Sequence, residues 1–389
     1  MSGTISFWHA YATDSPEVKT IDEIVIPAFN EQYPDIEVQA LAVPYDELRQ
    51  KLVTAAAGDQ LPDLVRADIG WVAELANLGV LVPLSAEMQQ FDELASTVYP
   101  GPLETNRWAG EYYGLPLSTN TRVMLYSSSL LGEYGLTAPS TMDDMNAMAA
   151  TLAEDDIFVF ADNGAGGWNI LPWIWSAGGD ITDADVSVAS GYINSAASVR
   201  GVEALASLYQ AGNVPNVILG DSGGLGPWEG LEQRVYATIY DGPWTFAYFG
   251  NQYPDFDLTS APLPSGAGGS ISVVGGESIV MTQSSGNKPA AAAFLSHLLS
   301  EEVQLEMARV GQIPVLESLG ASLVDINPYY EHFVEQLQTA RARPATPAWA
   351  QIDALLQAEV WKAIRGELTA QEALDRVAEG ADALLAEYR

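Results

Sequence analysis

The most conspicuous catalytic pattern in the sequence is residues 220–224, which read Gly-Asp-Ser-Gly-Gly and match the serine-nucleophile motifs of hydrolases. A nucleophile elbow needs a helix directly after the serine, whereas the Leu-Gly-Pro at residues 225–227 would break one. The protease interpretation also lacks an Ala-Ala-His-type histidine and the all-β chain that it requires. We therefore interpret residues 220–224 as a surface loop without catalytic function.

Metal-binding chemistry has no distinctive pattern. The three histidines, His9, His297 and His332, are far apart in sequence and form no His-x-x-x-His or His-Glu-x-x-His motif, which argues against zinc. Residues 183–187 begin like a calcium loop, but Val188 stands where that loop needs glycine. We expect an acidic turn there and no metal.

Nucleotide and glycosidase chemistry are no better supported. The glycine-rich residues 164–167 and 266–269 complete neither a dinucleotide fingerprint nor a P-loop. Paired carboxylates could hydrolyse sugars, but among 51 acidic residues almost any spacing occurs, so spacing carries no information. We expect no cofactor and no catalytic residue.

The aromatic residues provide the positive signal, because many stand in or beside predicted turns. Trp168 follows the glycines of residues 164–167, and Trp244 follows Asp241-Gly242-Pro243 at the end of a strand predicted over residues 235–240. An aromatic ring beside acids and amides suits a carbohydrate, whose C–H faces stack on rings while its hydroxyls form hydrogen bonds. The alternative, that each ring simply packs in the core, stays open for any single tryptophan. The aromatic residues in such settings are Trp8, Tyr11, Tyr45, Trp71, Trp168, Trp228, Trp244 and Trp349, and the polar candidates are Asp68, Asn120 and Glu277.

The elements that would position these residues follow from hydrophobic periodicity and helix caps. Residues 4–8, the alternating stretch 36–40 and residues 64–67 are predicted strands, separated by helices that begin after Ser15-Pro16 and over residues 46–57. This β-α-β-α-β order predicts an α/β lobe with a largely parallel sheet. Helices are also predicted through Met145, after Ser300, and at the C-terminal end, where Thr369 and Glu372 form a capping box.

Length and composition limit the classes of protein. A chain of 389 residues with 48% hydrophobic residues predicts two globular lobes. The 51 acidic against 16 basic residues give a net charge of −35, which argues against a nucleic-acid partner, whose backbone needs Lys and Arg. The acidity suits either a high-salt habitat or simple solubility.

No apolar stretch approaches the length of about 18 residues that a membrane span needs. The start of the chain shows no signal peptide, so we expect a cytoplasmic protein or one whose signal has been removed.

Several segments, in their order and spacing, resemble the extracellular solute-binding proteins of sugar ABC transporters, the large maltose-binding-like class. The resemblance extends nearly from end to end. It implies an α/β, two-lobed periplasmic-binding-protein-like fold of type II, with a ligand cleft between lobes that three hinge crossovers join. The implied N-terminal lobe is residues 1–118 and 268–318, and the C-terminal lobe is residues 119–267 and 319–389. The segments that carry the resemblance are residues 7–9, 27–38, 61–64, 110–116, 125–126, 241–244, 343–344 and 366–374.

The resemblance also places ligand contacts. It implies contacts in the loop after the first strand, at the acid after the third strand, at Asn120 in the first crossover, at two stacking tryptophans of the second lobe, in a loop at residues 275–277, and near Arg343 or Trp349. Together with the aromatic and polar candidates above, the predicted ligand-binding residues are His9, Tyr11, Tyr45, Asp68, Trp71, Asn120, Trp168, Asp241, Trp244, Gly276, Glu277, Arg343 and Trp349.

The implied function is capture of a mono- or oligosaccharide by hinge closure and its delivery to the permease subunits of an ABC transporter. The implied protein is a monomer outside the cytoplasmic membrane, either periplasmic or lipid-anchored, and is not an enzyme. Two alternatives stay open at this point. One is a receptor for glycerol-phosphate or another small anion, for which Arg122, Arg309 and Arg343 are candidates. The other is a secreted glycoside hydrolase, which would hold two carboxylates roughly 5 to 9.5 Å apart across the sugar. An adhesive surface protein would show repeats or a stalk, and neither is found.

Overall fold

A computed structural model describes residues 1–58, 60–220 and 224–388 of the chain, which divides into two compact units. Unit 1 is Met1–Asn120 with Gly275–Pro328, and unit 2 is Thr121–Val274 with Tyr329–Arg389. The chain therefore crosses from one unit to the other three times. The lobe boundaries predicted from the sequence lie 2, 7 and 10 residues before the first, second and third of these crossings. Three residues of the predicted surface loop, Asp221 to Gly223, lie outside the described residues.

The strands are numbered along the chain. They are β1 Gly3–His9, β2 Ile36–Ala42, β3 Leu64–Asp68, β4 Arg107–Trp108, β5 Glu111–Tyr112, β6 Gly114–Thr121, β7 Val123–Ser127, β8 Phe158–Ala161, β9 Tyr236–Asp241, β10 Leu258–Ala261, β11 Val273–Met281 and β12 Arg341–Ala342.

The α-helices are numbered in the same way. They are α1 Pro16–Thr20, α2 Ile26–Gln32, α3 Tyr45–Ala57, α4 Val72–Asn77, α5 Leu84–Glu87, α6 Phe91–Ala95, α7 Pro100–Glu104, α8 Ser128–Glu133, α9 Met142–Leu152, α10 Gly167–Ser176, α11 Ala196–Gln210, α12 Pro227–Glu232, α13 Trp244–Gln252, α14 Lys288–Leu298, α15 Glu301–Arg309, α16 Leu323–Ile326, α17 Tyr330–Leu337, α18 Trp349–Ile364 and α19 Ala370–Leu385. Short 3-10 turns occupy Ile69–Trp71, Ala153–Asp155, Asn216–Leu219, Glu317–Ser322 and Ala386–Tyr388, and Ile21–Val25 forms a π-helical turn.

Unit 1 is built on a sheet in which β2, β1, β3 and β11 are neighbours in that order, with β6 beside β11. Strand β1 runs parallel to β2 and β3, which confirms the predicted β-α-β-α-β opening, whereas β11 runs antiparallel to β3. The apolar residues of β1 that point inward, Ile5 and Phe7, are fully buried and pack with Phe29 and Phe294. Because β1 and β3 are parallel, their carboxyl ends meet at one edge of the sheet, where ligands commonly bind in α/β folds.

Unit 2 has a sheet in the order β10, β7, β9, β8, in which β8 and β9 are parallel and β7 is antiparallel to β9. The carboxyl ends of β8 and β9 therefore lie at the same edge as the start of β7. The long helices α10, α11, α18 and α19 pack together and share one hydrophobic core with the sheet. This core includes two buried tryptophans of α10, Trp173 and Trp175. In the same unit, Val273 and Val274 of β11 pair in parallel with β12.

Helix ends follow the predicted local chemistry. The Ser15 hydroxyl accepts the Val18 backbone N–H at the start of α1. Thr369 and Glu372 form the predicted capping box of α19, in which each side chain accepts the other residue's backbone N–H. The π-helical turn at Ile21–Val25 ends two residues before Pro27, which cannot donate a backbone hydrogen bond and so disfavours regular α-helical pairing there.

A further prediction is confirmed by local structure. The segment that begins like a calcium loop is an acidic turn, since Asp183 accepts the backbone N–H groups of Ser187 and Val188 at 2.6 and 3.1 Å. Within residues 1–58, 60–220 and 224–388, no group of three or more His, Asp or Glu side chains is placed to hold a metal ion. No helix in these same ranges has the length and apolar character needed to cross a membrane.

Candidate functional site

The carboxyl-end edge of the unit 1 sheet centres on Asp68, the last residue of β3, which is 7% exposed. Its Oδ1 accepts the Gly70 backbone N–H at 2.6 Å, and its Oδ2 accepts the Tyr45 hydroxyl at 2.8 Å. The Tyr45 ring lies 5.2 Å from the Trp71 ring, centroid to centroid, at 36°. The carboxylate is thus held in one orientation beside two aromatic rings, one of which, Tyr45, is 45% exposed.

Arg66, two residues earlier in β3, is buried beside the same edge. Its guanidinium is 2.6 Å from the Glu277 carboxylate and lies over the Tyr11 ring at 3.9 Å from the centroid. Glu277 is the cross-strand neighbour of Asp68 and also accepts the Ser118 hydroxyl at 2.7 Å. A buried cation is costly unless it is paired, so Arg66 and Glu277 explain each other's position. We call Tyr11, Tyr45, Arg66, Asp68, Trp71 and Glu277 the Asp68 cluster.

His9 and Tyr11 bring neutral groups to this edge. His9 is 1% exposed at the end of β1, and its ring centroid is 5.1 Å from that of Tyr11. Burial, reinforced by the nearby charge of Arg66, lowers the pKa of His9 to about 4. Burial raises the pKa of Tyr11 to about 12, although the charge of Arg66 opposes this. At neutral pH both groups are uncharged, so the carboxylates provide the negative charge of the cluster.

Asn120 and Gly276 lie on the neighbouring strands β6 and β11. Asn120 is 5% exposed, and its Oδ1 has no hydrogen-bond partner within the described part of the chain. The prediction of a loop at residues 275–277 is wrong, because these residues lie inside β11. Gly276 has φ of +129°, and a Cβ atom there would lie 2.3 Å from the Ser118 carbonyl oxygen. Glycine is therefore needed here for the close approach of two strands and does not mark a turn.

In unit 2, Trp168 and Trp244 form a stacked pair, with centroids 6.4 Å apart and planes at 28°. Both side chains are half-buried. The predicted turn setting of these residues needs correction, since Trp168 lies in the first turn of α10 and Trp244 is the first residue of α13. The preceding glycines and proline mark helix starts, which sequence alone does not distinguish from turns.

Asp241 ends β9 next to this pair. Its Oδ2 accepts the Trp228 indole N–H at 2.6 Å, and its Oδ1 accepts the Gly242 backbone N–H at 2.8 Å. The Trp228 ring in turn packs on Tyr248 with centroids 4.3 Å apart. A fixed carboxylate beside aromatic faces therefore occurs in unit 2 as it does in unit 1.

Arg122 lies beside the Trp168 ring, with its central guanidinium carbon 5.6 Å from the ring centroid, and is 1% exposed. Its Nη2 donates to both carboxylate oxygens of Asp162, each at 2.8 Å, and its Nη1 donates to the Trp168 carbonyl at 3.0 Å. Both Nη atoms of Arg122 thus donate to acceptors of its own unit, while its buried Nε has no hydrogen-bond partner among the described residues. The side chain is 1% exposed and is not placed to bind an anion from solution. We call Arg122, Asp162, Trp168, Asp241 and Trp244 the tryptophan cluster.

The two remaining predicted contacts differ in exposure. Trp349, the first residue of α18, is 3% exposed and belongs to the unit 2 core. Its ring packs against Gly167, where a Cβ atom would lie 2.6 Å from the ring, so it supports the start of α10. Arg343 is half-exposed just after β12. The third cation considered for an anion site, Arg309, is 61% exposed and pairs with Glu306 at 3.4 Å.

Sequence reasoning missed the charged supports of both clusters. Arg66 is not among the predicted residues, although an arginine between the apolar residues Val65 and Ala67 of a strand signals a buried partner. Arg122 was considered only as an anion ligand, and Asp162 was not singled out. The sequence does not specify which carboxylate meets which guanidinium, because the partners of Arg66 and Arg122 are distant along the chain.

The chemistry available to the two clusters is hydrogen-bond acceptance beside aromatic faces. Asp68 and Glu277 are cross-strand neighbours, but each already accepts hydrogen bonds, from Tyr45 and from Ser118 respectively. A glycoside hydrolase needs one of its two carboxyl groups as a proton donor. Carboxylates engaged as acceptors instead suit hydroxyl groups of a bound molecule.

The chain is similar in sequence to known bacterial proteins. A family model described as bacterial extracellular solute-binding protein matches residues 12–305. A Brucella abortus protein that is named as a binding protein is 24% identical over 391 residues, covering 93% of this chain and 89% of its own.

Two solved structures cover almost the whole chain. An ABC transporter solute-binding protein of Thermotoga lettingae, bound with α-D-tagatose, is 25% identical with a TM-score of 0.88 over 99% of this chain and 100% of its own. The cyclic α-maltosyl-1,6-maltose-binding protein of Arthrobacter globiformis is 26% identical with a TM-score of 0.82 over 100% of both chains. These likenesses confirm the predicted α/β fold.

Proposed function

Because the family model covers about three quarters of it, the chain belongs to the bacterial extracellular solute-binding proteins, and from this premise we propose that its solute is a neutral mono- or oligosaccharide. This family consists of substrate-binding proteins of ABC transporters, not of enzymes. The proposal also includes that the protein is a monomer located outside the cytoplasmic membrane. It would deliver its sugar there to the permease subunits of an ABC transporter.

The stacked pair of Trp168 and Trp244 beside Asp241 is the observation that carries the proposal. Half-buried aromatic faces next to a fixed acceptor match the C–H faces and hydroxyl groups of a sugar. The Asp68 cluster repeats this combination with Tyr45 and Trp71. The two solved relatives bind carbohydrates, which supports the same solute class.

The charges of the clusters argue for a neutral solute. Arg66 is paired with Glu277 and Arg122 with Asp162, so neither guanidinium is left to neutralise an anion. Asp68 adds negative charge to its cluster, and the whole chain carries −35. A phosphate or carboxylate on the solute would be repelled by these groups.

Calorimetry with a panel of neutral sugars, sugar phosphates and uronic acids tests this proposal. We expect one neutral sugar to bind and to be recovered chemically unchanged. Trp244→Ala should weaken its binding about tenfold or more, since an aromatic contact contributes roughly 0.5–1.5 kcal/mol beyond the area that it buries, and burial of the ring's apolar area adds roughly another 1 kcal/mol or more. Trp108→Ala is the matched control, because Trp108 is also half-buried but lies in the β4–β5 hairpin of unit 1, outside both clusters. Binding of an anion alone, or cleavage of the sugar, would refute the proposal.

A further inference from the structure

Arg122 joins the parts of unit 2 that carry the tryptophan cluster, although no sequence pattern marks it as structural. It lies between β6 and β7, two residues after the last residue of unit 1. Its backbone is fixed by Ser272, which accepts the Arg122 N–H at 3.3 Å and donates its hydroxyl to the Arg122 carbonyl at 2.8 Å. The side chain therefore extends from a fixed point in the sheet.

The guanidinium reaches the segment that carries Trp168. It donates to the Trp168 carbonyl at 3.0 Å, and its central carbon lies 5.6 Å from the centroid of the Trp168 ring. Its partner Asp162 also accepts the Asn169 side-chain amide at 2.6 Å and the Asn163 backbone N–H at 2.9 Å. Arg122 and Asp162 thus hold the backbone before Trp168, at Asn163, the Trp168 carbonyl itself, and the side chain after it, at Asn169.

The same guanidinium reaches the segment that carries Trp244. Its Nη2 donates to the Tyr240 carbonyl, which directly precedes Asp241 at the end of β9. Gly242 follows, and the Trp244 ring folds back over it so closely that a Cβ atom at Gly242 would lie 2.2 Å from the ring. The Arg122 guanidinium therefore fixes the start of β7 relative to the carboxyl ends of β8 and β9. The planar, forked donors of arginine permit this, whereas the single ammonium group of lysine does not.

We propose that Arg122 is a positioning residue, which holds Trp168 and Trp244 in their stacked arrangement through Asp162 and the Trp168 and Tyr240 carbonyls, without touching the ligand itself. The inference rests on the proposed function for its effect on sugar affinity. It predicts that affinity depends on a side chain that is almost completely buried, and that lysine, which keeps the charge, does not replace arginine.

The experiment compares Arg122→Lys and Asp162→Asn with the wild-type protein in three measurements. Near-ultraviolet circular dichroism of the ligand-free protein reports the coupling of the two indoles, and the spectrum of Trp168→Phe identifies that signal. Calorimetry gives the dissociation constant for the sugar found in the panel. Thermal unfolding reports stability.

We expect both variants to lose the indole coupling and to bind the sugar about ten- to a hundredfold more weakly, which is the range for loss of charge-assisted hydrogen bonds. The control Arg341→Lys alters a chemically similar group, since Arg341 pairs with Asp180 at 2.6 Å and lies 5.1 Å from the Trp175 ring in the same unit. We expect neither the coupling nor the affinity to change in this control.

Leu374→Ala supplies the control for stability, because Leu374 is fully buried in α19 of the same unit and lies outside the tryptophan cluster. If it weakens the coupling and the affinity as much as Arg122→Lys does, Arg122 acts through stability alone and the inference is wrong. Retention of the coupling in both Arg122→Lys and Asp162→Asn would also overturn it. If the wild-type protein binds no sugar, the proposed function fails, while the ligand-free spectra still decide the role of Arg122.

Discussion

Gly242→Ala should displace the Trp244 ring with little change to the backbone. A Cβ atom at residue 242 would lie 2.2, 2.3 and 2.5 Å from three carbon atoms of that ring, whereas ordinary van der Waals contact begins near 3.4 Å. The ring must therefore move by about 1.2 Å, the difference between 3.4 and 2.2 Å. Gly242 does not have a positive φ, so alanine fits the backbone and only the ring is in its way.

The consequence should appear in binding more than in stability. Because the Trp244 ring is half-buried, it can swing outward, and we expect the free energy of unfolding to fall by no more than about 1–3 kcal/mol, the usual cost of overpacking. The displaced ring no longer aligns with Trp168. If the pair contributes about 0.5–1.5 kcal/mol to stacking on a sugar, the dissociation constant should rise about two- to twelvefold.

Calorimetry with the sugar identified above, together with urea unfolding, measures both effects. Gly250→Ala is the control, because Gly250 lies in α13, the helix that begins at Trp244, and a Cβ atom there meets nothing within 4 Å. It should keep the wild-type affinity and gain up to about 1 kcal/mol of stability from the better helix propensity of alanine. Wild-type affinity in Gly242→Ala would show that the position of the Trp244 ring does not matter for binding.

Three further predictions concern stability. The pKa of His9 is lowered from 6.5 to about 4 in the folded state, so the unfolded chain takes up the proton first and the folded protein loses stability as pH falls below 6.5. His9→Gln should remove about 2 kcal/mol of the decrease in unfolding free energy that the wild-type protein shows between about pH 7.5 and pH 5, measured by urea unfolding. Thr369→Ala should lower the free energy of unfolding by about 1 kcal/mol, since it removes the acceptor for the Glu372 N–H, whereas Thr369→Ser should not. Burial alone would raise the pKa of Asp257, but hydrogen bonds, led by that from the Ser127 hydroxyl, lower it to about 2. The stabilisation that the Asp257 carboxylate provides is therefore present above pH 3.8 and lost as pH falls toward 2. Asp257→Asn should flatten the acid limb of a plot of unfolding free energy against pH.

Each of these has a contrary outcome. Equal pH dependence in wild type and His9→Gln would show that His9 titrates normally in the folded protein. Equal stability of Thr369→Ala and Thr369→Ser would mean that the capping box contributes nothing measurable. An unchanged acid limb in Asp257→Asn would assign acid sensitivity to other carboxylates.

Local structure could be predicted from the sequence because its causes are local. The first three strands follow from residues whose apolar side chains alternate or run continuously, and the helix starts at Ser15 and Thr369 follow from side chains that accept backbone N–H groups three residues away. The order of these elements is enough to predict the parallel pairing of β1 with β2 and β3.

Candidate residues of the site could be named for a related reason. In parallel strands the residues after the carboxyl ends share one edge, so a residue such as Asp68 is found by its position after a predicted strand. Trp168 and Trp244 were found because glycine and proline precede them, although those residues mark the starts of α10 and α13 rather than turns.

Only the tertiary structure decided what these residues touch. The sequence determined the α/β elements, their caps and the aromatic and acidic character of the candidate site, since these depend on neighbours within a few residues. Pairing of Arg66 with Glu277, and of Arg122 with Asp162 and the Tyr240 carbonyl, joins residues separated by 211, 40 and 118 positions. Many carboxylates could satisfy either guanidinium, and burial in one particular packing selects the partner, because a charge withdrawn from water is tolerated only where that packing supplies its counterion.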